Sequence, residues 1–292
     1  MTDIDQVLDA RPRDLGGFTV GRVLPAIGRK MVGPFVFLDH MGPASLDELV
    51  VRPHPHIHLA TVTYLFRGEV LHRDSLGSKQ SITPGAINWM SAGKAIAHSE
   101  RVARDGAKHD LHGLQLWVAL PQALEDSEPT FAHHPAASLP ELAERGRTIR
   151  VLAGTAYGAT SPVETVSPMC YADITLDPGA TIAMPEGYSE RALYLVEGTV
   201  TIGAERLGPR HLAVIAKGAS PVITADGPVR LVVLGGEPLG PRYLWWNFVS
   251  SSPDKIRDAA AKWRAGDWAK VFDDTVEFTP APSDGPRFAG EL

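Results

Sequence analysis

One pattern of residues occurs twice in this chain, in the same order and about 130 positions apart. Segment 64–70 reads Tyr-Leu-x-x-Gly-x-Val, and segment 194–200 repeats it at an offset of 130 (194 − 64). Each is followed by a segment that runs from proline to glycine, 84–93 and 209–218, at an offset of 125 (209 − 84). Chance matching is the alternative, because glycine and proline are common in turns. The preserved order favours an internal duplication, which predicts two β-domains in tandem.

The segments between these turns have the composition of strands. Segments 59–66 (LATVTYLF) and 113–120 (GLQLWVAL) are rich in β-branched, aromatic and aliphatic residues, which favour strands. The 28 glycines and 24 prolines suit many short strands joined by turns, and 44% hydrophobic residues can supply a core. We therefore predict an all-β fold that starts with a strand over 16–23 and divides into two domains, residues 1–135 and residues 136–292.

Two segments favour helix. Ser138-Leu-Pro-Glu141 has the spacing of a capping box, which predicts a short helix between the two domains. Near the C-terminus, Pro253 suits a first helical position, apolar residues follow at helical spacing, and Gly266 suits the end. These signals predict a helix over 253–265 that packs on a barrel, followed by a surface tail over 273–292.

The charge distribution limits the partners of this chain. The formal net charge is −6 and no block of lysine or arginine stands out, which argues against direct nucleic-acid binding. No apolar run approaches the ~20 residues of a membrane helix, and the N-terminus lacks the features of a secretory signal. Cys170 is the only cysteine, so no internal disulfide can form. These features predict a cytoplasmic protein without membrane contact, with Cys170 as a small buried side chain.

Three histidines lie at alternate positions, and a histidine and a glutamate repeat that spacing later. In an extended chain His54, His56 and His58 would project to one face, and so would His98 and Glu100. If the two strands face each other, their side chains can converge on one point. Imidazole nitrogens with a carboxylate suit a divalent transition metal. The alternative is that these histidines are hydrogen-bonded structural residues.

The repeat provides an internal control for this site. When 130 is added to the positions of the first three histidines, the residues found are Met184, Glu186 and Tyr188. When 125 is added to positions 98 and 100, they are Ile223 and Ala225. The scaffold therefore does not itself require histidines at these positions. The comparison favours a metal site in the first half only.

Three segments of the first half resemble the pirin family: 54–78 (HPHIHLATVTYLFRGEVLHRDSLGS), 84–101 (PGAINWMSAGKAIAHSER) and 112–121 (HGLQLWVALP). In the second half, Gly236-Glu-Pro-Leu239 resembles a further motif of that family. The resemblance extends from Gly16 to about Gly266. It implies two cupin barrels of the jelly-roll type in one chain, with a metal in the N-terminal barrel only.

The resemblance also implies a ligand set. It assigns the metal to an H-P-H pair and an H-x-E segment, which in this sequence are His54, His56, His98 and Glu100. The implied cofactor is one divalent ion, with Fe(II) as the expected choice and Mn, Ni, Cu or Zn as alternatives.

Three further residues are candidates for the surroundings of the metal. His58 stands where many relatives of the pirin family have glycine; it could reach the metal, narrow the pocket or hydrogen-bond a ligand, and we favour the last two roles. Asp39 and His40 end an early strand and could border the pocket. A strand-end salt bridge or solvent contact is the alternative for both.

Some pirins resemble quercetin 2,3-dioxygenases, which open the central ring of a flavonol with O2. The resemblance therefore implies a dioxygenase whose substrates are a small aromatic enol and O2, with Glu100 as the general base for the substrate hydroxyl. A different cupin chemistry, such as isomerisation or oxygenation of another substrate, remains open. The main alternative is a metal-binding regulator that acts through a protein partner without turnover.

Overall fold

A computed structural model describes residues 2–15, 18–46, 49–102 and 109–288. Gly16, where the predicted first strand begins, and the last four residues of the predicted tail lie outside these ranges. Within them the chain is mainly β-strand, with the α-helix α1 (Pro253–Ala265) and two 3-10 turns, Gln122–Leu124 and Ala136–Ser138. The predicted all-β class with few helices is confirmed.

The strands are short and follow one another closely along the chain. The first twelve are β1 (Ile4–Asp9), β2 (Arg11–Asp14), β3 (Thr19–Leu24), β4 (Phe35–Leu46), β5 (Leu49–His56), β6 (Leu59–Arg67), β7 (Val70–Asp74), β8 (Lys79–Ile82), β9 (Ile87–Ser91), β10 (Ile96–Val102), β11 (His109–Ala119) and β12 (Thr130–His134). The remainder are β13 (Glu141–Glu144), β14 (Arg147–Ala156), β15 (Ala159–Thr160), β16 (Met169–Leu176), β17 (Thr181–Ala183), β18 (Glu190–Glu197), β19 (Val200–Ile202), β20 (Glu205–Leu207), β21 (His211–Ile215), β22 (Val222–Ala225), β23 (Val229–Gly236), β24 (Tyr243–Trp245) and β25 (Phe248–Ser250).

One compact unit consists of Met1–Pro12, Gly21–His40 and His134–Pro238. Its larger sheet has the order β1-β21-β18-β23-β16-β14-β13, with β15 paired to β14, and its smaller sheet has the order β17-β22-β19-β20. Apolar side chains from both sheets share one core. Cys170 is fully buried in that core, as predicted, and burial raises the pKa of its thiol to about 12.

The other unit consists of Arg13–Val20, Met41–His133 and Leu239–Leu292. Strands β5-β10-β7-β8 form a four-stranded sheet, and β12-β9-β6-β11 continue through β4, β3 and β2 as a seven-stranded sheet. Apolar residues of both sheets again form a core. The short hairpin β24–β25 and α1 belong to this unit as well.

The two units differ from the predicted division into residues 1–135 and 136–292. Strands β2, β3 and β4 each pass from one unit into the other, so both units contain separate stretches of chain. Residues from Leu239 onward lie in the unit that carries the histidine-rich strands. The physical reason is burial of the C-terminal segment: Phe248, Ile256 and Ala260 pack in one apolar cluster with Ile57, which directly follows β5.

The helix predicted over 253–265 is confirmed at both ends. Pro253 begins α1, and Gly266 ends it in a left-handed conformation with φ of 73°. No helix in the described ranges combines the length and apolarity that crossing a membrane requires.

The short helix predicted from Ser138 and Glu141 is wrong. Ala136–Ser138 forms a single 3-10 turn, and Glu141 begins β13. Pro140 explains the difference, because the residue before a proline is driven towards extended backbone, and Leu139 has φ of −88° and ψ of 135°. The Ser138 hydroxyl donates to the carbonyl of Pro135 at 2.8 Å instead of capping a helix.

The repeated residues occupy equivalent places in the two units. Tyr64 in β6 and Tyr194 in β18 are fully buried. Gly68 and Gly198 form the turns that follow, with φ of 90° and 84°. The sequence repeat therefore corresponds to the same strand-turn-strand structure in each unit.

We expect Gly68→Ala to destabilise the protein more than Gly77→Ala. Both glycines have strongly positive φ, 90° and 96°, so each alanine should cost about 1–2 kcal/mol of backbone strain. A Cβ at position 68 would also lie 2.1 Å from the carbonyl oxygen of Asp110, whereas position 77 has no atom within 4 Å. Urea unfolding of both variants measures the difference. Equal losses would contradict the close contact at Gly68.

Candidate metal centre

Strands β5 and β10 bring the two parts of the histidine pattern side by side. They pair antiparallel, with His54 opposite His98. Beyond this pair the register shifts, so that Glu100 lies opposite Val51 and β5 holds one extra residue. That extra residue falls at Arg52-Pro53, where proline supplies no N–H to the ladder and a bulge is tolerated. The pairing aligns the two i, i+2 patterns that the sequence shows separately.

Three of the predicted ligands form a cluster. One side-chain nitrogen from each of His54, His56 and His98 lies within 4.8 Å of the others, and all three residues are buried. The Nε2 atoms of His56 and His98 are 3.2 Å apart. Two nitrogens that each lie about 2.1 Å from one ion, at an angle near 100°, would be separated by about this distance. The spacing of the donors therefore fits a single transition-metal ion.

The outward nitrogens of two of these rings have fixed partners. His54 Nδ1 lies 2.9 Å from the carbonyl oxygen of Arg52, and His56 Nδ1 lies 2.9 Å from that of Asn247. A carbonyl oxygen only accepts, so both Nδ1 atoms carry the proton and donate it. The Nε2 atoms of His54 and His56 are then unprotonated, as ligation requires.

Burial keeps these imidazoles neutral. It lowers the pKa of His54 to about 4, against a smaller opposing effect from the hydrogen bond to Arg52. Burial also lowers the pKa of His56 and of His98 well below the ordinary value. Neutral imidazole is the form that binds a metal, so the cluster is ready to ligate near neutral pH.

Glu100 lies on β10 two residues beyond His98, and the three-histidine group does not include it. Its Oε1 accepts a hydrogen bond of 3.1 Å from the hydroxyl of Thr63. Burial raises the pKa of Glu100, and the neighbouring His72 and the Thr63 hydrogen bond oppose that effect only in part. A carboxyl group with a raised pKa is suited to accept a proton.

His58 does not project with His54 and His56, so that part of the prediction is wrong. Strand β5 ends at His56, and His58 has a left-handed backbone with φ of 59°. Its ring lies instead beside two carboxylates, with Nδ1 3.5 Å from Glu125 and Nε2 3.6 Å from Asp126. The turn after β5 therefore removes His58 from the three-histidine cluster.

Asp39 and His40 have partners within the other unit. Asp39 accepts two hydrogen bonds, of 2.9 and 2.8 Å, from the guanidinium of Arg22. His40 Nδ1 lies 2.7 Å from the hydroxyl of Tyr194. The structure thus gives Asp39 the salt bridge that was the alternative to a pocket role.

His72 and Asp74 are not among the predicted site residues, but they lie beside the three-histidine cluster. These residues have the same i, i+2 spacing on β7, which pairs with β10 so that Asp74 faces His98 and His72 faces Glu100. His72 Nδ1 lies 3.4 Å from His98 Nδ1, and His72 Nε2 lies 3.1 Å from Asp74 Oδ2. The spacing was available in the sequence, but the choice of β7 as the neighbour of β10 was not.

Glu125 is a further buried carboxylate that the sequence pattern did not indicate, and it fixes the C-terminal segment. It accepts a 2.7 Å hydrogen bond from the backbone N–H of Ser251 and a 3.2 Å bond from the hydroxyl of Ser250. The cationic groups of Arg242 and Lys255 lie 3.6 and 3.5 Å from it. This segment includes Asn247, whose carbonyl holds His56.

Comparisons with known proteins agree with this structure. The family model described as Pirin matches residues 17–118, and the model described as Pirin C-terminal cupin domain matches residues 171–269. A pirin-like protein of Caulobacter vibrioides is 48% identical over 288 residues, which cover 96% of this chain and 99% of that relative. A Pseudomonas aeruginosa protein provisionally named a quercetin 2,3-dioxygenase is 39% identical over 269 residues, 90% of this chain and 84% of that relative.

A solved structure supports the same architecture. The crystal structure of a quercetin 2,3-dioxygenase from Acinetobacter baumannii superposes with a TM-score of 0.91 at 31% identity, and the match covers 98% of this chain and 97% of that chain. The predicted architecture of two cupin domains is confirmed.

We expect the chain to bind one divalent ion. The His98→Ala variant should lose at least nine-tenths of the metal occupancy, because it lacks one of three clustered imidazoles. Elemental analysis after dialysis measures the occupancy, and the melting temperature confirms that the variant is folded. His211→Ala, at a half-exposed histidine in the other unit, is the control and should keep full occupancy. Full occupancy in His98→Ala would contradict the site.

The metal-free protein should lose stability as the pH falls from 6.5 to 4. The pKa of His54 is about 4 in the folded chain and about 6.5 when unfolded. In this window the unfolded state binds more protons, so the free energy of unfolding falls by up to about 1.4 kcal/mol per pH unit for each such histidine. Urea unfolding at pH 7, 6 and 5 measures the slope, which should be shallower in His54→Gln. Identical slopes would contradict the lowered pKa.

Proposed function

This chain belongs to the pirin family, and from that premise we propose that it is a metal-dependent dioxygenase that uses O2 to open flavonol-type substrates or related aromatic enols. The observation that carries the proposal is the convergence of three neutral imidazoles, two of which have their Nδ1 atoms fixed by carbonyl oxygens. The likeness to a protein described as a quercetin 2,3-dioxygenase supports the choice of substrate class.

We assign the metal to His54, His56 and His98, with Glu100 as the fourth donor. Three neutral nitrogens and one carboxylate suit Fe(II), the expected ion, while Mn, Ni, Cu and Zn follow the general order of affinity. A bound ion would supply Lewis acidity to the oxygens of a chelating enol and a site for reaction with O2.

The role proposed for Glu100 is to take the proton of the substrate hydroxyl. Its raised pKa, caused first by burial, favours proton uptake. Ionisation of the hydroxyl makes the enol electron-rich, which is the form that reacts with O2. The residue therefore serves both the binding and the activation of the substrate.

Thr63 and Gln115 can stabilise Glu100 after it has taken up that proton. The Thr63 hydroxyl lies 3.1 Å from Glu100 Oε1 and 2.9 Å from Gln115 Oε1. A hydroxyl has one proton, so Thr63 can donate to only one of them at a time. When Glu100 gains a proton, it can donate to Thr63, and Thr63 can then donate to Gln115. The pair thus stabilises both protonation states of Glu100.

We expect the iron-loaded protein to consume O2 when a flavonol such as quercetin is added. Glu100→Gln should keep the fold but reduce the rate at least about 100-fold, because a general base contributes about 10²–10⁴. An oxygen electrode measures the rate, and Glu69→Gln, at an exposed glutamate of the same unit, is the control.

The absence of O2 uptake with any flavonol in the metal-loaded wild type would contradict the dioxygenase proposal. It would favour the alternative in which the chain binds a metal and acts through a protein partner. A full rate in Glu100→Gln would instead contradict only the role of Glu100.

A further inference from the structure

Among the three clustered histidines, His98 differs in the partner of its outward nitrogen. The Nδ1 atoms of His54 and His56 face carbonyl oxygens, which accept only. His98 Nδ1 faces another imidazole nitrogen, His72 Nδ1, at 3.4 Å. An imidazole nitrogen can be a donor or an acceptor. The protonated nitrogen of His98 is therefore decided by the state of His72.

The state of His72 is in turn decided by Asp74. His72 Nε2 lies 3.1 Å from Asp74 Oδ2, and an ionised carboxylate only accepts. His72 must then carry its proton on Nε2, so its Nδ1 is free to accept from His98 Nδ1. His98 Nε2 is left unprotonated, 3.2 Å from His56 Nε2.

Asp74 is held in its ionised form and in one orientation. It is fully buried, and its Oδ1 accepts the backbone N–H groups of Leu76 and Ser78 at 2.9 and 3.0 Å. Burial acts to raise its pKa, but the hydrogen bonds from His72 and Ser78 outweigh it, so the pKa of Asp74 is lowered. With Oδ1 occupied by the turn, Oδ2 is the oxygen presented to His72.

The ring of His72 is also held in place. It is 3% exposed and stacks on Phe131 with the ring centroids 4.4 Å apart and the planes 11° apart. Strand pairing puts Asp74 opposite His98 and His72 opposite Glu100. A ring fixed on one face by an aromatic side chain and at both nitrogens by polar partners can relay a tautomer from one end to the other.

We propose that Asp74 and His72 are positioning residues that fix the tautomer of His98, so that its Nε2 is the nitrogen available to the metal. This inference rests on the metal site of the proposed function, but not on the reaction or the substrate. It gives the Oδ2 atom of Asp74 a role distinct from that of Oδ1, which holds the turn after β7.

Asp74→Asn is the sharpest test, because it reverses the donor and acceptor roles along His72 and His98 while the side chain keeps nearly the same shape. The N–H groups of Leu76 and Ser78 require the amide oxygen at the Oδ1 position, which turns the amide NH2 towards His72. His72 Nε2 must then accept, its Nδ1 carries the proton, and His98 Nδ1 becomes the acceptor. The proton of His98 moves to Nε2, where it opposes ligation.

Two measurements on the full-length protein detect this change of tautomer. Titration of the metal-free protein with Zn(II) against a chromophoric chelator should show an affinity about 10–100-fold lower in Asp74→Asn than in wild type. Two-bond 1H–15N correlation spectra of metal-free, 15N-histidine-labelled protein should show His98 protonated at Nδ1 in wild type and at Nε2 in the variant. The same tautomer in both proteins, or an unchanged affinity, would overturn the proposal.

A second variant distinguishes the relay from a purely structural effect. His72→Phe retains a ring against Phe131 but removes both hydrogen bonds, and it should also weaken Zn(II) binding. Adding Asp74→Asn to His72→Phe should then have no further effect, because Asp74 acts through His72. Additive losses would show that Asp74 acts through the fold and would overturn the relay.

Asp173→Asn is the matched control, since Asp173 is a buried carboxylate of the other unit that pairs with Arg230. Its Zn(II) affinity should equal that of wild type.

The outcomes also separate the two proposals. Wild type that binds Zn(II) but never consumes O2 contradicts only the dioxygenase, whereas wild type and Asp74→Asn of equal affinity contradict only the relay. Wild type that binds no Zn(II) overturns both.

Discussion

The antiparallel pairing of β10 with β5 on one side and β7 on the other is the interaction on which the site depends. Side chains two residues apart on a strand share a face, so the three strands give this face four imidazoles and two carboxylates: His54, His56, His72, Asp74, His98 and Glu100. His54 and Asp74 both lie opposite His98. No single strand carries enough donors for the site, and the register between strands is therefore as important as the residues themselves.

So many ionisable groups can be buried on one face because most of them are uncharged. A buried charge is costly unless it is paired or hydrogen-bonded, whereas a neutral imidazole with a partner at each nitrogen is tolerated. Burial lowers the pKa of His54, His56 and His98, and raises that of Glu100. Asp74 is the exception, since hydrogen bonds lower its pKa despite burial. The face therefore combines a stabilised charge at Asp74 with neutral imidazoles that a cation can bind.

The parts of this structure that the sequence predicts are those set by local pattern. The strands and the helix over 253–265 follow from residue type, spacing and end signals. The spacing of the histidines predicts their convergence only if β5 and β10 pair, as they do. His58 departs from the pattern because the chain leaves the strand with a positive φ just after Ile57 bridges to Phe248. His72 and Asp74 carry the same i, i+2 signal, but their role depends on which strand lies beside β10. The interleaved units likewise result from pairings between residues far apart in the sequence.

The C-terminal segment shows why the site is not a property of the first half of the chain alone. The hairpin β24–β25 turns at Trp246-Asn247, with φ of 53° at Trp246, and Asn247 directs its carbonyl oxygen at His56. Phe248 then bridges to Ile57, and Glu125 holds the following serines. The segment thus fixes the one ring of the three-histidine cluster that no residue of β5, β7 or β10 orients. The Asn247 carbonyl, 191 residues away from His56, accepts from the Nδ1 atom of that ring. The Arg52 carbonyl has the same role for His54 from within the same strand. In both rings this leaves Nε2 as the nitrogen available to a cation.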